Sequence, residues 1–143
     1  RNCAEIMTTQ KGENLLYEKE SFIIRGICFD LYKKYGGTFK ESVINNALVH
    51  ELEKVGIKNE SQKRINILHD QKKIGVYIPD LIVENKILIE LKVKPFITAG
   101  DEKQFWHYLR ATDYKLGFLI NFSPEKLQIK RRIYDKARKQ YPL

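Results

Sequence analysis

The spacing of apolar residues changes period along the chain, and the changes mark the elements. From Tyr17 to Tyr35, Phe22, Ile23, Ile27, Leu31 and Tyr35 recur at helical intervals, which predicts a helix over 17–35 ended by Gly36-Gly37. A second helix is predicted over 39–55, with Ile44, Ala47, Leu48, Leu52 and Val55 on one face and Gly56 as its stop. From 63 to 93 the period shifts towards two. RINILHD, KIGVYI, and LIV joined by a turn to KILIELKV then read as strands. Residues 100–112 return to helical spacing. LGFLINF (116–122) reads as a short buried strand and LQIKRRI as a further strand, with a basic helix in the tail. Helices, antiparallel strands, helix, strand is the order of an α/β layered domain.

One stretch conflicts with its own pattern. YIPDLIVENKILIELKV (77–93) is buried strand by its apolar residues, yet it carries Asp80, Glu90 and Lys92, types depleted in strands. With a turn at Glu84, Asn85 and Lys86, Val83 pairs with Ile87, Ile82 with Leu88 and Leu81 with Ile89. Asp80 then faces Glu90, and Glu90 and Lys92 share one face of the sheet. Opposed carboxylates repel, and burying both without compensation costs several kcal/mol. A divalent cation removes the conflict; so does a wet face on which Lys92 bridges the two acids. The neighbours Ile78, Ile82 and Leu88 oppose a wet face.

Two further groups are placed to join them. Glu41 lies on the stripe of Ile44, Leu48 and Leu52, which aims it towards the core. Thr38-Phe39-Lys40-Glu41 also fits a T-x-x-E capping box, in which Glu41 merely reaches back to the Thr38 amide. Gln104 and Tyr108 lie four apart on one helix face, a spacing equally at home on an ordinary helix surface.

Composition narrows the classes. The 143 residues suit one domain, expected to span 1–143 with a core at about 18–134 and a basic C-terminal tail. No apolar run approaches the ~18 residues of a membrane span, and RNCAEIMTTQ lacks the apolar run of a signal peptide. The chain opens on Arg, so a processed or partial sequence is expected, with Met7 as a candidate start. Cys3 and Cys28 are far apart, which fits a reducing cytoplasm rather than a disulfide framework. His50, His69 and His107 lack zinc-ligand spacing. With 26 Lys+Arg against 18 Asp+Glu, the net charge is +8 and the pI about 9.4, weak evidence for a polyanionic partner. The sharpest excess is KLQIKRRIYDKARKQ (126–140), with seven cations against one aspartate, equally readable as a solvated helix face.

In order along the chain, GGTFKESVI, PDLIVENKILIELKV, QFWHYL and LGFLINF resemble the PD-(D/E)XK nuclease superfamily, and within it the small GxxExxY proteins of bacteria and archaea. The resemblance covers roughly 18–134. The glycine that names the family falls on Thr38 and its tyrosine on Ile44, whereas Glu41 is retained. It implies a restriction-endonuclease-like fold, a central mixed β-sheet flanked by helices. It implies a nuclease in which Asp80, Glu90 and Glu41 form the acidic cluster, Lys92 is the catalytic lysine, and Gln104 and Tyr108 form the helix motif. Mg²⁺ or Mn²⁺ would be the cofactor, held by Asp80, Glu90, the Leu91 carbonyl and, through water or at a second ion, Glu41. The implied partner is nucleic acid, DNA before RNA, with Lys33, Lys34, Lys40 and the tail tracking phosphates and no membrane. A homodimer or a larger defence or repair complex would supply specificity. The competing readings are an inactive nuclease fold that only binds nucleic acid and a protein-interaction module.

Overall fold

The computed structural model describes residues 16–134. The elements run α1 (Glu18–Tyr35), α2 (Glu41–Lys54), β1 (Asn59–Ser61), β2 (Ile65–His69), β3 (Lys72–Tyr77), β4 (Leu81–Val83), β5 (Ile87–Lys92), α3 (Ala99–Ala111), β6 (Leu116–Phe122) and β7 (Leu127–Ile133). Five strands form one sheet in the order β1-β4-β5-β6-β7, and β2 and β3 form a separate hairpin. Among the described strands, only β5 and β6 pair in parallel. A parallel pair requires a crossover, and α3 is that connection.

The sheet is covered on both sides, which is why β4 and β6 read as unbroken apolar runs rather than alternating ones. Ile24, Cys28 and Leu31 of α1 and Ile44, Leu48 and Leu52 of α2 pack against one face, where Ile87, Ile89, Leu91, Phe118 and Ile120 point. Phe105 and Leu109 of α3, together with Tyr77, cover the other face at Ile82, Leu88 and Leu119. Gly117 permits the close approach of α3: a Cβ there would lie 2.6 Å from Phe105 Cζ.

The expected register holds: Leu81 pairs with Ile89, Ile82 with Leu88 and Val83 with Ile87. LQIKRRI is an edge strand, and its charges suit an edge that must not pair with other chains. The basic tail beyond residue 134 lies outside the described residues. Strand β1 was not anticipated, because three residues, NES, carry no periodic signal. No described helix is long and apolar enough to cross a membrane.

The capping box at Thr38 is not formed. Helix α2 begins at Glu41, its N-cap is Lys40, and no side chain caps it. Gly36 has φ 64°, and Gly37 is pressed so closely on the Ser123 carbonyl that a Cβ would sit 2.3 Å from that oxygen. The loop is therefore pinned to the end of β6, and two further residues are spent before the helix turns. Glu41 is left in the first helical turn, where the helix dipole favours a carboxylate.

Candidate active site

Pairing of β4 with β5 ends at Leu81–Ile89. Two residues further out, Pro79 has no amide hydrogen and fixes its own φ, so the ladder cannot continue past it. The chain bends at Asp80, and side chains take over the hydrogen bonding. Glu90 Oε1 accepts from the Asp80 amide at 3.0 Å. Asp80 Oδ2 accepts from the Leu91 amide at 2.7 Å. The two acids are thus locked across the open end of the hairpin by each other's backbone. In a strand, the amide and carbonyl of one residue point to the same edge, so the Leu91 carbonyl faces the Asp80 side. Gln62, with φ 57°, donates its amide to the Asp80 carbonyl at 3.3 Å, and its side chain, near the Asp80 carboxylate, favours the ionised form.

The electrostatics bind four of the expected residues into one site. Burial, and then the charge of Asp80, push the Glu90 carboxyl up to about 7, against the opposing pull of the Asp80 amide and Lys92. Burial also raises Asp80, although the Leu91 amide, Gln62 and Lys92 act the other way. Glu41 is raised by partial desolvation and then by Asp80, again opposed by Lys92. Lys92 is the counter-charge common to all three acids. Glu90 and Lys92 are half-buried, on the face whose apolar members Ile82 and Leu88 are sealed. Ile78, the third apolar neighbour on that face, is 39% exposed, so the face is sealed at Ile82 and Leu88 and open to water at the acid end.

Glu41 does not point into the core as its stripe suggested. The first turn of α2 reaches beyond the sheet, so the side chain stays exposed. With Lys40, Ser42, Asn45, Gln62 and Asp80 it lines a cleft of about 700 Å³. Asn45 Oδ1 on that wall is buried and makes no hydrogen bond. Among the described residues, no three acidic, histidine or cysteine side chains converge closely enough to cage a metal by themselves. The donor set is nevertheless all oxygen, with one oxygen of Asp80 and one of Glu90 not engaged by the hairpin backbone. Two carboxylates plus water suit Mg²⁺, which keeps several waters, better than ions that demand a full protein cage. The residues fit that group.

Tyr108 joins the cluster indirectly. Its ring stacks on Tyr77, centroids 4.1 Å apart and 6° from parallel. Tyr77 is only 5% exposed, and its hydroxyl lies against the Glu90 carboxylate without forming a hydrogen bond of good geometry. Burial and the neighbouring acids push its pKa far up, so it stays a neutral phenol. Gln104, one turn before Tyr108, is exposed on α3 and is not drawn into the acid cluster. Sequence reasoning missed Gln62 and Tyr77. The signal for Tyr77 was a hydroxyl-bearing aromatic closing an apolar strand three residues before Asp80; Gln62 offered none.

Comparison with known proteins bears on the whole arrangement. The crystal structure of SSO0001 is similar at 21% identity and a TM-score of 0.42, covering 68% of this chain and 52% of that one. The chain thus spans about half the length of that relative. An alkaline exonuclease, LHK-Exo, from Laribacter hongkongensis is similar at 11% identity and a TM-score of 0.42, covering 87% of this chain and 74% of that one. No curated protein matches the sequence. The family model of the PD-(D/E)XK nuclease superfamily matches residues 18–132, a span that runs from the start of α1 to within one residue of the end of β7 and holds Asp80, Glu90 and Lys92. The chain belongs to the PD-(D/E)XK nuclease superfamily.

Proposed function

We propose that this domain is a divalent-metal-dependent nuclease, acting on DNA, with Asp80, Glu90 and Lys92 at its centre. The observation that carries the proposal is the reciprocal lock of Asp80 and Glu90 at the open end of the β4–β5 hairpin, with Lys92 on the same face. Two acids held together in a half-buried place are costly unless something cationic rests on them. A pure binder of anionic phosphate gains nothing from them.

Asp80, Glu90 and the Leu91 carbonyl would hold Mg²⁺ or Mn²⁺, and Glu41 would act through a water from the wall of the cleft. When bound, the ion polarises the scissile phosphate and acidifies a water. Lys92 donates from its ammonium to the attacking water and to the phosphate oxygens as negative charge builds on them. The Asp80 and Glu90 carboxylates keep their orientation through the transition because the Leu91 and Asp80 amides fix them. Tyr77 and Tyr108 close the site on the α3 side and exclude water from behind Glu90. Gln104, exposed one turn earlier, would meet a substrate phosphate. Lys33, Lys34 and Lys40 are exposed and would track the backbone without reading sequence.

The order of segments supports membership of the GxxExxY group and a single domain over the whole chain. Ile44, at that group's tyrosine position, is 1% exposed in the core beneath α2. It contributes packing, and no hydroxyl is supplied to the cleft from there.

The test is cleavage of labelled single- and double-stranded DNA and RNA in Mg²⁺, Mn²⁺ or EDTA, with Lys92→Ala alongside. Metal-dependent cleavage of DNA that disappears in the variant is the expected result. Cleavage persisting in Lys92→Ala removes the proposed lysine role. Salt-sensitive binding without cleavage of any substrate would make the inactive binder the better reading.

A further inference from the structure

The β2–β3 hairpin is built in a way that the acid site does not require. Its base is anchored: Ile65 and Ile67 pack beside Tyr77 in the apolar cluster under α3. Its tip is not. His69 pairs with Lys72, so only Asp70 and Gln71 form the turn, both at positive φ (50° and 65°) as a tight primed turn demands. Between Ile67–Gly75 and Leu68–Lys73 the register slips by one residue, leaving Ile74 as the extra residue of a bulge. Bulges re-aim side chains, and they concentrate beside active sites. Here the bulged side chain is Ile74, 65% exposed, the most exposed large hydrophobic residue of the described chain, with Leu68 beside it at 58%.

A bare isoleucine and leucine on a protruding hairpin are an aggregation hazard unless they have a partner. The flanking charges say which. Arg64, Lys72 and Lys73 are all exposed, against the single acid Asp70 at the turn. An apolar point set among cations matches a polyanion with an apolar interior, which is the description of stacked bases between phosphate rails. A two-stranded ribbon also has the width to enter a groove of a duplex. Ile74 is six residues before Asp80, so it lies at most about 20 Å from the acid pair, on the order of six base steps.

We propose that the β2–β3 hairpin is a wedge that inserts Ile74, supported by Leu68, against the base stack of duplex DNA near the cleavage point, with Lys72, Lys73 and Arg64 on the flanking phosphates. The choice of nucleic acid as partner rests on the nuclease reading; the wedge itself rests on the bulge and its exposed side chains. Apolar side chains placed between base steps unstack them and bend the duplex. The hairpin would thereby expose the scissile strand to a site that has little other recognition surface.

The experiment uses short duplex DNA carrying 2-aminopurine, mixed with the full chain in EDTA so that no cleavage occurs. Hydrolysis of bis(p-nitrophenyl) phosphate with Mn²⁺ reports the acid site independently, because that small diester does not reach the hairpin. The wild-type chain is expected to raise 2-aminopurine fluorescence on binding. In Leu68→Ser/Ile74→Ser the rise disappears and affinity falls about tenfold, as expected when the unstacking contact is removed, while diester hydrolysis and circular dichroism stay unchanged. In Lys72→Ala/Lys73→Ala, a pair with no core contact, the slope of log affinity against log salt falls by about one per lysine. An undiminished fluorescence rise in the Ser variant overturns the wedge. So does the absence of any rise with wild-type protein that hydrolyses the diester. A fluorescence rise without diester hydrolysis upholds the wedge and removes the nuclease reading. A dimer seen by light scattering that Ile74→Ser dissolves assigns the patch to a second copy and overturns the proposal.

Discussion

Glu90 and Asp80 meet at the one place where the hairpin's ladder fails, and the failure shapes their chemistry. With no metal bound, burial favours the protonated form of both carboxyls, and at Glu90 the charge of Asp80 adds to it. Glu90 binds its proton up to about pH 7 in the folded chain, against a value of 4.5 when unperturbed. The folded state therefore holds more protons than the unfolded state across that window. Stability of the metal-free protein is at its fullest below about pH 4.5 as far as Glu90 is concerned, declines as pH rises towards 7, and levels off above. The loss should be about 1–3 kcal/mol, or roughly 2–8 °C in melting temperature, between pH 5 and 8 in EDTA. Glu90→Gln should flatten that decline and abolish metal-dependent cleavage, a combination that a merely structural glutamate would not give. A decline unchanged in Glu90→Gln would mean that another group carries it. Lys92→Ala should lower cleavage by about 10²-fold or more, the usual cost of removing a charge stabiliser from a transition state.

At the scale of elements, α3 is held down by a glycine and a cap. Gly117 faces Phe105 so closely that Gly117→Ala should cost about 1–3 kcal/mol by overpacking. Gly75, in the hairpin, has nothing within 4 Å of a Cβ, and Gly75→Ala serves as the control with little effect in the same denaturant titration. Thr98 Oγ1 accepts from the Asp101 amide at 3.0 Å, and Asp101 Oδ2 accepts from the Thr98 amide at 2.9 Å, a closed capping box. Thr98→Ala should therefore cost about 1 kcal/mol. Most helices and strands were legible because each had several turns or pairs of its period: α1, α2, β5 and β6 fall close to the predicted limits. The register of β4 on β5 was legible too, since one turn length sets every pair. Strand β1 was not, because three polar residues become a strand only by lying along β4. The cap of α2 misled for a similar reason. Thr38-x-x-Glu41 is a sound local signal, overridden by the long-range contact of Gly37 with Ser123. Asp80, Glu90 and Lys92 announced themselves by conflict with their surroundings, whereas Tyr77 and Gln62 enter through packing and a turn that only the folded chain assembles.

For the molecule as a whole, the charge of +8 and the placement of the acids are a division of labour. Glu41 and Asp80 line one cleft, with Glu90 locked to Asp80 beside it, while exposed lysines and arginines lie on α1, at the start of α2 and on the β2–β3 hairpin. A field of that form attracts a polyanion from a distance and leaves a negative hole for cations at its centre. Binding of DNA in EDTA should therefore weaken steeply with salt, by about 10³-fold between 50 and 200 mM if six phosphates are contacted. Mg²⁺ should act locally as well, raising the melting temperature of wild-type protein but not of Asp80→Asn, through preferential binding to the folded state.

Whether Asp80 and Glu90 hold a cation decides the chemistry of the site, and calorimetric titration of Mn²⁺ into the metal-free protein answers that most directly. Because Glu90 is half-protonated near pH 7, Mn²⁺ should bind with proton release there, seen as a heat that changes with the ionisation enthalpy of the buffer. The release should vanish by about pH 9, where that carboxyl is already ionised, and binding should be lost in Asp80→Asn. Absence of saturable Mn²⁺ binding, or binding indifferent to Asp80→Asn, would contradict the account.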